Sequence, residues 1–173
     1  MDALATRFGA GTSLEDFERK AQMMQYESYR AIFEGMNAGL WTEHSGRMLW
    51  MTQPAWPSSA WQIFSHDYDT QASFYGVKKA SEPVHVQMNL PDWKVVLVNN
   101  GLTTLRGVTV SAKVIGLDNH AIAQRSATIA APGETTSTAF TLDPAAATAT
   151  GVPSVTGASA FSARSCASFA ACQ

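Results

Sequence analysis

Cysteine is nearly missing from this 173-residue chain, which has two, Cys166 and Cys172, both close to the last residue. Two thiols so placed cannot frame a disulfide-stapled fold, and their spacing is not that of a zinc site. An excess of charge of either sign is also missing. Twelve lysines and arginines stand against fourteen aspartates and glutamates, a formal net charge of −2. That leaves no basic stripe for nucleic acid or for an anionic membrane surface. No run of about 18 apolar residues occurs to span a bilayer. The opening residues, with Arg7 and Glu15 and no apolar stretch between them, do not read as a signal peptide. What the chain does have is apolar mass, 46% of its residues, enough for one domain or one and a half with a real core.

Composition divides the chain into three parts. The first, residues 1–82, opens with "TSLEDFERKAQMMQYESYRAIFEGMNAGLW". Ser13 followed by Asp16 reads as a helix N-terminus, and Leu14, Phe17, Ala21, Met24, Ala31 and Ile32 recur at threes and fours. A long amphipathic helix is expected, ending near Gly39 through a left-handed glycine cap. Glu27 and Glu34 share a face of it; ordinary solvated glutamates are the expected reading, with an acid/base pair as the rival. Next, "SGRMLWMT" predicts a turn and a short strand. Met48 to Met51 make it apolar on both faces, as in a sheet covered by helices. The run "MLWMTQPAWPSSAWQIFSHDYD" then holds three tryptophans and two prolines, which forbid regular structure. "ASFYGVKKASEP" predicts a short helix closed by Pro83, with Lys78 and Lys79 near Glu82 as a surface feature.

The second part, residues 83–142, changes period. "VHVQMN", "KVVLVNN", "VTVSAKVIGL", "AIAQRSATIA" and "TSTAFTL" are short β-rich runs separated by turn signals such as Asn100-Gly101 and Pro132-Gly133. Val108, Val110, Ala112 and Val114 alternate on one face, the half-buried pattern of a sandwich sheet. Five strands fall short of the seven of an immunoglobulin-like sandwich. The third part, residues 143–173, is dominated by Ala, Ser and Thr and is expected to be a low-complexity, disordered tail.

The helix "SLEDFERKAQMMQYESYRAIFEG", the loop "GRMLWMTQPAWPSSAWQIFSHDYD", "ASFYGVKKASEPVHVQMN" and "KVVLVNN" together resemble glycoside hydrolase family 2. They are similar to the end of the catalytic barrel and the start of the next domain in exo-β-D-glucosaminidases and β-mannosidases. The resemblance runs from Leu4 to Leu142, and "AWPS..W" and "YGVKKASEPVH" are its most specific parts. It implies a fold that is α/β followed by all-β: the terminal helix-strand-helix unit of a (β/α)8 barrel, then an incomplete immunoglobulin-like β-sandwich.

The implied chemistry is retaining hydrolysis, which needs two carboxyl groups about 5–5.5 Å apart. In the family both are glutamates on earlier barrel strands, so this chain is expected to lie beyond them, to hold no catalytic residue and to be inactive alone. Glu43 precedes the expected strand and is on the wrong side for catalysis. The aromatic run is then expected to be a wall of the sugar pocket. An indole packs on the C–H face of a sugar while amides and carboxylates take its hydroxyls. The candidate substrate-binding residues are Trp50, Gln53, Trp56, Trp61 and Asp67. Where related members carry asparagine, this chain has "TQPAW", which leaves the preferred sugar open. Core packing is the rival reading for Trp50 and Trp61.

No cofactor is expected, and no metal; His66, Asp67 and Asp69 offer three donors without a fourth at usual spacing. The expected partners are a β-linked sugar or oligosaccharide and the preceding part of the barrel. Nucleic acid and membrane are not expected, and the full-length family member is expected outside the cell or in the periplasm. Two other readings stand beside this one. The chain is a non-catalytic carbohydrate-binding or structural β-sandwich module, which exposed Trp41, Trp56 and Trp93 would favour; or it is a complementation fragment that assembles with a separately encoded barrel portion.

Overall fold

A computed structural model describes residues 2–58, 62–90, 92–115, 119–142 and 160–166. The chain forms two compact units: Met1–Met36 with Ser45–Glu82, and Asn37–His44 with Pro83–Gln173.

In the first unit, helices α1 (Asp2–Phe8), α2 (Leu14–Ala38) and α3 (Ala72–Ala80) carry the regular structure. The start of α2 is where the sequence puts it. The Ser13 hydroxyl accepts the Asp16 N–H at 3.1 Å, and the Asp16 carboxylate accepts from the Thr12 N–H at 3.0 Å and from Lys20 at 2.8 Å. Helix α1 was not expected, and its Arg7 reaches Glu27 on α2. Glu34 is held by Arg30 at 2.8 Å, so each of the two glutamates answers to its own arginine and neither is simply solvated.

Helix α3 docks on α2 through Gly76. A Cβ there would lie 2.5 Å from the Tyr26 carbonyl oxygen and 3.1 Å from the Arg30 nitrogen, so only glycine permits this approach. Beside it the Gln22 side-chain oxygen accepts the Ala72 N–H at 2.8 Å. The buried face of α2 accordingly differs from the one periodicity marks. Leu14 and Ile32 are exposed, whereas Phe33 is buried with the Arg47 guanidinium 4.6 Å above its ring. The docking partner selects the face, not the sum of apolar residues along it.

The strand expected at Met48–Met51 is not formed. The segment has no ladder, and Met48 is 94% exposed. A strand exists only when a neighbour takes its N–H and C=O groups, and no other strand of the named sheets belongs to this unit. The helix-strand-helix expectation is therefore corrected to helix, extended loop, helix.

The second unit is a pair of three-stranded antiparallel sheets. Strands β1 (Val84–Met88), β2 (Lys94–Asn99) and β5 (Thr135–Thr141) form one in the order β1-β2-β5. Strands β3 (Leu105–Ile115), β4 (Ala121–Ala131) and β6 (Ala160–Cys166) form the other in the order β4-β3-β6. Val86, Val95, Leu97, Val108, Val110 and Phe140 belong to one buried cluster, to which both sheets contribute. Alternation in β3 runs as the sequence predicts, with Val108, Val110 and Ala112 buried.

Two corrections concern this unit. Within the expected tail, Ala160–Cys166 is β6, paired antiparallel with β3 from Ile115↔Ala160 to Thr109↔Cys166. Backbone pairing needs donors and acceptors, which a small-residue segment supplies as well as any other, so composition hid the strand. The rest of residues 143–173 lies outside the described residues. Among the described residues the sheets thus hold six strands where five were read.

The other correction is Gly39. Helix α2 ends beside it, but the positive φ falls on Trp41 (73°). What Gly39 provides is space, since a Cβ would meet the Glu43 carboxylate and the His44 ring at 2.9 Å. This turn belongs to the β unit, where Leu40 packs with Val96 and Val98, so that β2 is buried on both faces. The Asn37 side-chain amide donates to the side-chain oxygen of the buried Gln87 at 3.1 Å, and the Thr136 hydroxyl donates to the Asn37 backbone carbonyl at 3.0 Å. Those bonds satisfy polar groups that would otherwise be stranded under the sheet.

Candidate functional site

The aromatic run is organised by its polar residues. The Phe64 N–H donates to the Thr52 carbonyl at 3.0 Å, and Phe64 and Thr70 form an isolated antiparallel bridge. Between them Ser65 closes a tight turn. Its N–H donates to the Asp69 carbonyl at 2.9 Å, and its hydroxyl accepts the Asp69 N–H at 3.0 Å. The turn needs a left-handed residue, Tyr68 at φ 67°, a conformation that costs a non-glycine residue about 1–3 kcal/mol. The turn is anchored from the other side by Gln53, whose amide donates to the His66 carbonyl at 2.8 Å. Below it, Phe64 packs on Phe74 of α3 with ring centroids 5.1 Å apart.

Within this frame the structure places four of the five sequence-nominated residues; Trp61 lies outside the described residues. Trp50 and Trp56, three residues either side of Gln53, are 75% and 70% exposed. Core packing within this unit is thus not the role of Trp50. Gln53 is half-buried, and its side-chain amide donates to the turn. Asp67 is exposed, and its carboxyl is held below the usual carboxylate range, first by the Ser65 hydroxyl that donates to it and then by backbone N–H groups. An acid so stabilised in its ionised form is a hydrogen-bond acceptor and a cation partner, not a proton donor.

The structure therefore joins Gln53 to the turn that carries Asp67. Sequence reasoning passed over Ser65, the residue that fixes both the turn and the charge of Asp67. The signal was present, because a serine two residues before an aspartate in "SHDYD" is a side-chain turn pattern. His66 Nδ1 lies 3.9 Å from the Asp67 carboxylate, and among the described residues no three His, Cys, Asp or Glu side chains converge as a metal site. Nor is any helix among them long and apolar enough to cross a membrane.

No protein-family model matches the chain. Relatives do. It is 40% identical over 111 residues to a mannosylglycoprotein endo-β-mannosidase of Lilium longiflorum, covering 64% of this chain and 12% of that protein. It is 40% identical over 130 residues to an exo-β-D-glucosaminidase of Streptomyces avermitilis, covering 73% of this chain and 14% of the relative. Among solved structures it is similar to the exo-chitosanase CsxA of Amycolatopsis orientalis, with a TM-score of 0.77 and 34% identity over 82% of this chain and 17% of that one. CsxA has also been solved in complex with PNP-β-D-glucosamine. The chain's homologues are thus glycosidases, and it spans only 12–14% of the length of those two curated relatives.

Proposed function

We propose that this chain is the C-terminal portion of a glycoside hydrolase family 2-like exo-glycosidase of the β-glucosaminide or β-mannoside class. In this reading residues 1–82 close a catalytic barrel, residues 83–142 begin an immunoglobulin-like sandwich, and both catalytic glutamates are supplied by the preceding part of the protein. The observation that carries it is the exposure of Trp50 and Trp56 on either side of Gln53, in a loop pinned to the Asp67 turn. Two indoles in water beside fixed acceptors are what a sugar pocket wall requires, since sugar C–H faces stack on the rings while hydroxyls donate to the oxygens. The relatives named as glucosaminidase and mannosidase support the substrate class. The exposed side chains of Met48, Trp50 and Met51, in a segment with no strand ladder, fit a strand whose neighbours lie in the rest of a barrel.

In such a site this chain's residues bind and orient; they transfer no proton. Asp67, kept ionised by Ser65, accepts from a hydroxyl or pairs with the ammonium of an amino sugar. Gln53 accepts through its side-chain oxygen while its amide holds the His66 carbonyl. Hydrolysis of an aryl β-glucosaminide and an aryl β-mannoside by the full-length product tests the reading. Trp56→Ala is expected to lower kcat/KM about tenfold, equal to a lost stacking contribution of roughly 1.4 kcal/mol. If the 173-residue chain alone cleaved either substrate above background, and lost that activity in Asp67→Asn, the assignment would be wrong.

A second reading has one observation in its favour. Trp41, on the sandwich unit, is 38% exposed in a left-handed conformation, as an aromatic platform of a non-catalytic carbohydrate-binding module could be. Glycan binding by the chain that survives Trp50→Ala and Trp56→Ala but is lost in Trp41→Ala would favour that module.

A further inference from the structure

Away from the aromatic loop, the first unit has a groove of about 500 Å³ between α2 and the start of α3. None of the sequence-nominated residues lines it. Its apolar lining comes from Met23, Tyr26, Ala72 and Tyr75. Its polar lining comes from Glu15, Glu18, Arg19 and Gln22. The volume is that of a small-ligand site, and Met23 and Tyr75 are each 51% exposed, so half of each of these large side chains is left to water.

The lining is held in place. The Tyr75 hydroxyl is 3.1 Å from the Thr70 hydroxyl, and its ring stands edge-on to Phe74 with centroids 5.2 Å apart, which fixes the plane it offers. Gln22 gives its oxygen to the Ala72 N–H, so its side chain is fixed at the groove with donors as its remaining hydrogen-bonding groups. Arg19 and Glu15 pair at 3.2 Å and cancel each other. Glu18 has no ion-pair partner among the described residues, so the groove keeps one uncompensated negative charge beside two phenol rings.

We propose that this groove is a second carbohydrate contact, taking a cationic β-linked amino-sugar chain at a point separate from the Trp50–Trp56 loop. A glucosaminyl unit supplies what the lining lacks. Its apolar C–H face stacks on Tyr75 and Tyr26, its ammonium meets Glu18 and the ring faces, and its hydroxyls accept from the Gln22 amide. A neutral glycan satisfies the rings but leaves Glu18 unmatched; an apolar peptide leaves Glu18 and Gln22 without partners. The choice of an amino sugar rests on reading the chain as part of a glucosaminide-active protein.

The test titrates the whole 173-residue chain with glucosamine hexamer, with N-acetylglucosamine hexamer and cellohexaose as uncharged controls, following tyrosine and tryptophan signals by NMR. Helicity measured by circular dichroism shows that each variant keeps α2. Glucosamine hexamer is expected to bind more tightly than either control, and less so as salt is raised. Glu18→Gln and Tyr75→Ala are each expected to weaken it fivefold or more. Tyr75→Phe keeps the ring and is expected to keep most of the affinity, while Trp56→Ala is expected to leave groove binding unchanged. Absence of hexamer binding, or binding lost in Trp56→Ala yet kept in Glu18→Gln and Tyr75→Ala, would overturn the proposal. Groove binding with no glucosaminidase activity in the full-length product would sink the catalytic reading alone. Activity with no groove binding would sink this one alone.

Discussion

At the scale of single residues, charge is settled by immediate neighbours. Asp16 caps α2 while accepting from Lys20 and from Thr12, and those donors, Lys20 first, bring its carboxyl from 3.8 down to about 2. A group whose folded value is depressed contributes its stability above its unfolded value and loses it as pH falls through the folded one. The Asp16 contribution should therefore be whole above about pH 4 and fade toward pH 2. Asp16→Asn should lower the urea midpoint at pH 6, and the gap from the parent should close as the pH approaches 2. A gap that persists unchanged at pH 2 would mean that packing, not charge, explains the variant. This cap was legible in the sequence because serine and aspartate three apart is a local pattern. The role of Ser65 was equally local. The pairing of Glu27 with Arg7 was not, because it depends on where a separate helix lies.

At the scale of elements, what a segment becomes depends on whether a partner satisfies its backbone. Strands β1 to β5 were legible because alternation, β-branched residues and turn pairs agree, and each strand has a neighbour. Met48–Met51 has the composition of a strand and lacks the neighbour, whereas β6 has the neighbour and lacks the composition. Pattern reading errs in opposite directions at these two places for one reason: pairing is a property of two segments, and a pattern describes one. Helix docking follows the same logic. The α2–α3 contact depends on Gly76, where a methyl group would press 2.5 Å from the Tyr26 carbonyl, and backbone cannot move aside as a flexible side chain can. Gly76→Ala should destabilise the helical unit by about 1–3 kcal/mol, the usual range for overpacking, despite alanine's better helix propensity. Equal or greater stability in the variant would show that the two helices do not pack this closely in solution.

At the scale of the whole molecule, the two units are unequally built. The β unit buries Val86, Val95, Leu97, Val108, Val110 and Phe140 between sheets, and Leu40 covers the outer face of β2. Among the described residues of the helical unit few apolar side chains are buried, Leu4, Phe33, Ile63 and Ala80 among them, while Met48, Trp50 and Trp56 stand in water. Burial stabilises at about 25 cal/mol per Å² of apolar surface, so the contrast predicts unequal stability. The boundary near Pro83 was legible as a change of period; that Asn37–His44 sides with the strands was not, because Leu40 on Val96 and Asn37 on Gln87 are contacts across more than forty residues. Urea unfolding of the 173-residue chain, followed by amide exchange, should then show two steps. Amides of α2 and α3 should lose protection first, while β2 and β3 hold to a higher denaturant concentration. One shared transition would mean that the helical unit draws its stability from the sandwich. Two steps would fit the proposed reading, in which the exposed Met48–Met51 segment and its indoles are covered by other parts of a glycosidase, and within such a full-length product the first step should move up toward the second.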